Sequence, residues 1–173
     1  MELTRNLEIC PENAPRLALA LIATQAAMTL ATAVDNQPWA AAVYYVFQQG
    51  RFYFFSDPTS RHIRQALVNG QAAGAISVSA TSWEEIRGIQ MGGYIAPMNA
   101  GPRVLSVIAA YLEKYPFTRE LIPHKSPLEP DTFFKRFRAR LYFFHPLQAY
   151  YLDNRIRFGF REPVSLTPHG DGI

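Results

Sequence analysis

Ser56, Ser60, Arg61 and His62 are the residues whose types and spacing could do chemistry. They fall where an aromatic strand, RFYFFS (51–56), gives way across Asp57-Pro58-Thr59 to a segment of helical spacing, SRHIRQALVN (60–69). A helix start presents main-chain N–H groups with no partner inside the helix, together with the positive end of the helix dipole, so it can receive a phosphate. Arg61 adds a fork of donors matched to phosphate geometry. The serines add hydroxyls, and His62 or Arg64 offers a second positive contact. By spacing alone, an ordinary helix capped by Ser60 and carrying surface arginines accounts for the same residues.

Other reactive side chains are scattered. His124 and His145 are isolated, and no pair of histidines has metal-ligand spacing. Cys10 is the only cysteine, so no intramolecular disulfide and no cysteine metal cluster can form. No metal site is expected. Trp83-Glu84-Glu85 reads as an acidic turn, as does Asp153-Asn154-Arg155. No residue stands out as a general base, so the catalytic residues are left unnamed.

The elements that must position the phosphate-type site follow from the hydrophobic pattern. A helix is expected over RLALALIATQ behind Pro15, which is tolerated in a first turn. MTLATAV (28–34) reads as a strand, Asp35-Asn36-Gln37-Pro38 as a turn, and WAAAVYYVF (39–47) as a strand apolar on both faces and therefore central. Gln48-Gln49-Gly50 turns the chain into the aromatic strand, which completes an antiparallel meander. In the helix over 60–69, Ile63, Ala66 and Leu67 share one face. GAISVSA (74–80) and IRGIQMGGYIAP (86–97) are further strands. A helix over 102–115 follows, then an irregular stretch (116–131) and a short helix in DTFFKRF. RARLYFFHP and QAYYLDN read as two last strands, and the tail beyond Pro163 as frayed. About seven strands with peripheral helices make a mainly β fold, and a closed or half-open antiparallel barrel removes its edges.

Length and charge bound the rest. The 173 residues suit one domain, and 49% hydrophobic content supplies a core. A net charge of +3 is too mild to imply a nucleic-acid partner. The apolar run Leu17–Ala31, broken by Thr24 and Gln25, is too short for a bilayer. Glu2, Glu8 and Glu12 before it are the wrong flank for a signal peptide. No membrane partner and a cytoplasmic location are expected.

MTLATAVDNQPWAAAVYYVF, RFYFFSDPTSRHIRQALVN, AISVS and IRGIQMGGYIA, in that order, resemble the pyridoxamine 5′-phosphate oxidase-like family of FMN-binding split barrels. The resemblance covers residues 22–97, and the ordered set carries it. It implies one split-barrel domain over 1–173: an N-terminal helix (1–27), a barrel core with the flavin site (28–97), helices and closing strands (98–163) and a tail (164–173). It implies FMN as cofactor, with the ring along Ala41, Ala42, Val43, Tyr44 and Val46 and against Phe55 and Ser56. The phosphate then lies on Ser60, Arg61 and His62. A glutamine on the fifth strand reaches the ring in the family, which points to Gln90, or to Gly88 in a strict alignment. Arg161, in the FGFR segment, is the C-terminal contributor. The family's basic residues on the long strand are replaced by Ala41 and Val46, and His62 stands where lysine is usual. Pyridoxamine phosphate oxidase activity is therefore not expected. What the resemblance implies is flavin-dependent oxidoreduction of a small molecule, or by a nicotinamide donor, in a homodimer with sites at the interface. Some barrels of this kind hold haem, so the alternative is a haem-binding or sensing module with His145 as ligand.

Overall fold

The computed structural model describes residues 7–99, 101–121 and 139–167. The expected short helix in 131–137 lies outside them. The N-terminal segment forms helix α1 (Ala14–Thr24), entered through a 3-10 turn over Pro11–Asn13. Its buried residues, Ala14, Leu17, Ala18, Leu21 and Ile22, recur at helical spacing and so form one stripe.

Strand β1 (Ala27–Val34) alternates strictly: Met28, Leu30 and Thr32 are buried and the residues between them exposed. Asp35 and Asn36 both take positive φ (52° and 58°). That matches the right-handed strand twist in a two-residue hairpin, and Asn and Asp tolerate it. The hairpin leads into β2 (Gln37–Tyr44), which pairs with β1 from Val34↔Gln37 to Ala27↔Tyr44.

Here the fold departs from the continuous central strand expected over 39–47. The strand breaks at Tyr45 and resumes as β3 (Val46–Gln48), which pairs with β4 (Arg51–Ser56). The Tyr115 hydroxyl accepts the Tyr45 N–H at 3.1 Å and lies 2.6 Å from the carbonyl oxygens of both Tyr45 and Ala26. One side chain thus satisfies the main-chain groups that leave the ladder at the corner.

Helix α2 (Arg61–Asn69) ends at Gly70, whose left-handed φ of 74° costs a glycine nothing. Ile63 and Ala66 are buried, whereas Leu67, expected on the same face, is 54% exposed. Strand β5 (Gln71–Ser77) starts three residues earlier than expected and is followed by β6 (Arg87–Pro97). Helix α3 (Pro102–Lys114) precedes a 3-10 turn over Pro116–Leu121. The two strands expected near the C-terminus are one, β7 (Arg140–Asp153), because Pro146 and Leu147 are absorbed as an irregularity opposite Gly92 and Gly93. Strand β8 (Arg161–Pro163) follows. The chain just beyond Pro163 does not fray: Val164 donates its N–H to Ala149, and Val164 and Leu166 are buried.

The antiparallel sheet runs β2-β1-β5-β6-β7-β4-β3, with β8 beside β7. Its two terminal strands, β2 and β3, are joined by Tyr45 alone, so the sheet must curl until its ends meet. Strand β6 covers one edge of β7 along most of its length, while the other edge is shared by β4 and β8. This is a mainly β split barrel with peripheral helices. One core fills the barrel under α1, and a second lies between α3 and the outer side of β3, β4 and β7. Among the described residues, no helix is long and apolar enough to cross a membrane.

Candidate functional site

The loop before α2 is built around Asp57, whose Oδ1 accepts the Thr59 N–H and hydroxyl, both at 2.7 Å. The turn delivers Ser60 to the N-cap position with extended backbone (φ −62°, ψ 147°). The side chain does not cap. Its Oγ lies 3.2 Å from Ser56 Oγ, which lies 2.9 Å from His62 Nε2. The first-turn amides of α2 therefore lack the side-chain acceptor that an N-cap serine usually provides.

His62 faces inward and is buried, and burial lowers its pKa below the ordinary histidine value. At neutral pH it is an uncharged partner of Ser56 and not the second cation expected. The charge at the helix start is Arg61, whose guanidinium stacks on Trp39 at 4.6 Å from the ring centre. Arg64 lies one turn on. Among the described residues neither arginine has a carboxylate within ion-pair distance; the ion pair recorded there is Arg155–Asp153. Gln65 ties the helix to the barrel: it accepts from the Thr32 hydroxyl at 2.7 Å and donates to the Gln37 carbonyl at 3.1 Å. Between this face of α2 (Arg61, Arg64, Gln65, Val68) and the β1–β2 turn (Asp35, Gln37) runs an open groove of about 410 Å³.

The remaining sequence-derived candidates divide by the side of the sheet they face. Ala41 and Val43 pair with Leu30 and Met28 and point inward, whereas Ala42 and Tyr44 point outward and are exposed. Val46 is buried in the second core under α3, and Phe55 packs edge-on against Tyr111 at 4.9 Å beside it. Gln90 is on the outward face, in a cross-strand row running Ala42, Thr29, Ala75, Gln90, Tyr150. Arg161 stacks on Tyr150, 4.1 Å from its ring centre. Gly88 is buried, and a Cβ there would stand 2.6 Å from the Ile76 carbonyl oxygen, so the neighbouring strand already demands a glycine.

The fold thus gathers Ser56, Ser60, Arg61 and His62 at one end of the barrel. It gathers Gln90, Tyr150 and Arg161 on the outer sheet face. Ile63 and Ala66 of α2 belong to the interior core, so the two groups lie on opposite sides of the sheet within one chain. The sequence reading missed Trp39 and Gln65 as parts of the site. Trp39 sits in the very turn that carries the resemblance, and nothing local marks it as a platform for a guanidinium 22 residues on. Gln65 meets Thr32 across 33 residues of chain, which no spacing rule reports.

His145, the alternative haem ligand, lies beside Tyr94 (ring centres 5.4 Å apart). Its Nδ1 is buried without a hydrogen-bond partner among the described residues. Burial and the nearby Arg51 lower its pKa.

No family model matches the chain. A UPF0306 protein of Photorhabdus laumondii is 30% identical over 109 residues, which cover 62% of this chain and 73% of that one. Among solved structures, a haem binding protein from Mycobacterium smegmatis superposes with a TM-score of 0.67 at 16% identity, over 91% of this chain and 60% of the other. A FAD-binding protein from Mesorhizobium loti superposes with a TM-score of 0.58 at 15% identity, over 77% of this chain and 89% of that one. The architecture is the split barrel of the pyridoxamine 5′-phosphate oxidase-like proteins, and by sequence the chain belongs to the UPF0306 family.

Proposed function

We propose that this protein is an FMN-binding flavoprotein that acts as an oxidoreductase on a small molecule or a nicotinamide donor. One observation carries the reading. At a helix start without a side-chain cap, Arg61 is held rigidly on Trp39 and has no carboxylate partner among the described residues. A guanidinium kept in place but unpaired, beside free amides and the Ser56 and Ser60 hydroxyls, is an arrangement suited to a phosphate. Solved neighbours of this fold include a FAD-binding protein and a haem binding protein, which is consistent with a planar ligand here.

In this reading Arg61, Ser56, Ser60 and the first-turn amides of α2 hold the phosphate, and His62 orients Ser56 as a neutral partner. Flavin, when bound, supplies the hydride-accepting chemistry, while the chain supplies binding and orientation. The long strand is an edge, not a centre, and its outer side leaves Trp39 and Tyr44 about half exposed. Outward residues of β2, β1, β5 and β6 are small and uncovered: Ala40, Ala31, Ala73 and Gly92 form one such cross-strand row. A second copy laid on this face covers it and brings one chain's Gln90, Tyr150 and Arg161 toward its partner's Arg61 end, which the same chain cannot do. The protein is therefore proposed as a homodimer with shared sites.

The test is the visible spectrum of the protein as purified and after FMN addition, with light scattering on the same sample. Two flavin bands and a dimer of about twice 19.6 kDa are expected. A colourless monomer that takes up no FMN refutes the reading. The buried, unpartnered Nδ1 of His145 favours a second reading, because a neutral imidazole is the metal-ligating form. An intense Soret band that His145→Ala abolishes would establish haem instead.

A further inference from the structure

The groove beside α2 is longer than a mononucleotide needs. A phosphate on Arg61 occupies one end of it. From there the helix continues through Arg64 to Val68, about 10 Å at 1.5 Å per residue. The chemistry along this length is ordered. Arg61 comes first and Arg64 one turn later, two like charges at a spacing that disfavours both unless an anion lies between them. Neither has a carboxylate partner among the described residues. Asp35, an exposed acceptor, stands across from them on the β1–β2 turn. The far end is apolar: Val34, and Val68 with 70% of its surface exposed. Two cationic positions, then an acceptor, then an apolar surface is the order of the groups in an adenosine diphosphate half: phosphate, phosphate, ribose, base.

We propose that the cofactor site extends along this groove and takes a flavin dinucleotide in preference to the mononucleotide. Arg64 meets the second phosphate, Asp35 accepts from the ribose hydroxyls, and the adenine lies against Val34 and Val68. This rests on the assignment of Arg61 to the first phosphate.

Calorimetric titration of riboflavin, FMN, FAD and ADP against the wild-type protein and Arg64→Ala separates the two claims. Arg64 is exposed and touches no core residue, so the variant is expected to unfold at the wild-type temperature. The wild type should bind FAD on the order of tenfold or more tighter than FMN. Arg64→Ala should abolish that advantage while leaving FMN affinity within about twofold. FMN binding with no preference for FAD overturns the extension and leaves the mononucleotide site standing. Equal losses for FMN and FAD in Arg64→Ala also overturn it, since Arg64 would then act only through general charge. ADP taken up alongside bound FMN would assign the groove to a separate nucleotide, again against the dinucleotide. If neither FMN nor FAD binds, the Arg61 reading falls and the extension with it.

Discussion

Arg61→Ala is the sharpest perturbation of the proposed site. The guanidinium is stacked 4.6 Å above Trp39, so the side chain loses little further freedom when it meets a phosphate. A hydrogen bond to a charged group contributes about 1.5–3 kcal/mol. With 1.4 kcal/mol worth a factor of about ten, the variant should bind FMN roughly ten- to a hundredfold more weakly. His62, buried and uncharged, cannot compensate. Losing the stack itself should cost the unliganded protein only about 0.5–1 kcal/mol, because the pair is partly exposed. Riboflavin supplies the internal control: it has the ring and no phosphate, so its affinity should be unchanged. Arg61→Lys keeps the charge but loses the planar fork, and should fall between the two. Fluorescence titration of both ligands against the three proteins reads all of this. Equal losses for FMN and riboflavin, or no loss for FMN, would mean that Arg61 is a surface residue and that the phosphate lies elsewhere.

Three further outcomes are expected. Tyr115→Phe removes the hydroxyl that serves Tyr45 and Ala26 and leaves a buried N–H without its acceptor, so urea unfolding should show a loss of about 2–3 kcal/mol; a loss below about 1 kcal/mol would mean that the corner is held by packing alone. Gly88→Val drives a side chain into the Ile76 carbonyl oxygen and should lower thermal stability by about 2–3 kcal/mol or more with no flavin present, whereas wild-type stability would show that β5 and β6 do not approach as closely as described. His62 and His145 both have pKa values lowered by burial, so the unfolded chain takes up their protons first, near about pH 6.5; stability should be full above that value and fall as the pH drops below it toward the folded-state values. Replacing both by glutamine should flatten the profile of unfolding free energy between pH 7 and pH 5, and an unchanged slope would refute the assignment.

The strands and helices were largely legible in the chain. Alternation in 28–34, the Asp35-Asn36 turn, the amphipathic 60–69 segment and the Pro-led helix at 102 are written in local periodicity, and periodicity reports which face of an element is apolar. The candidate phosphate group was legible for the same reason, since a helix start and its neighbours are close in sequence. Three things were not local. Residues 39–47 look central because they are apolar on both sides, yet β2 is an edge, and the corner that turns it is set by a tyrosine 70 residues away. Pro146 looks like a strand end, yet β7 runs through it, because β6 supplies an irregularity at Gly92 and Gly93 that absorbs the misfit. His62 looks like a cation, yet the packing of α2 onto the barrel buries it and removes its charge. Sequence by itself determined the elements and the residue types at the helix start, because those depend on interactions within a few residues. Only the tertiary structure decided which strand is exposed, which arginines stay unpaired and which histidine is neutral, because edge position, ion pairing and desolvation are set by what the rest of the chain brings alongside.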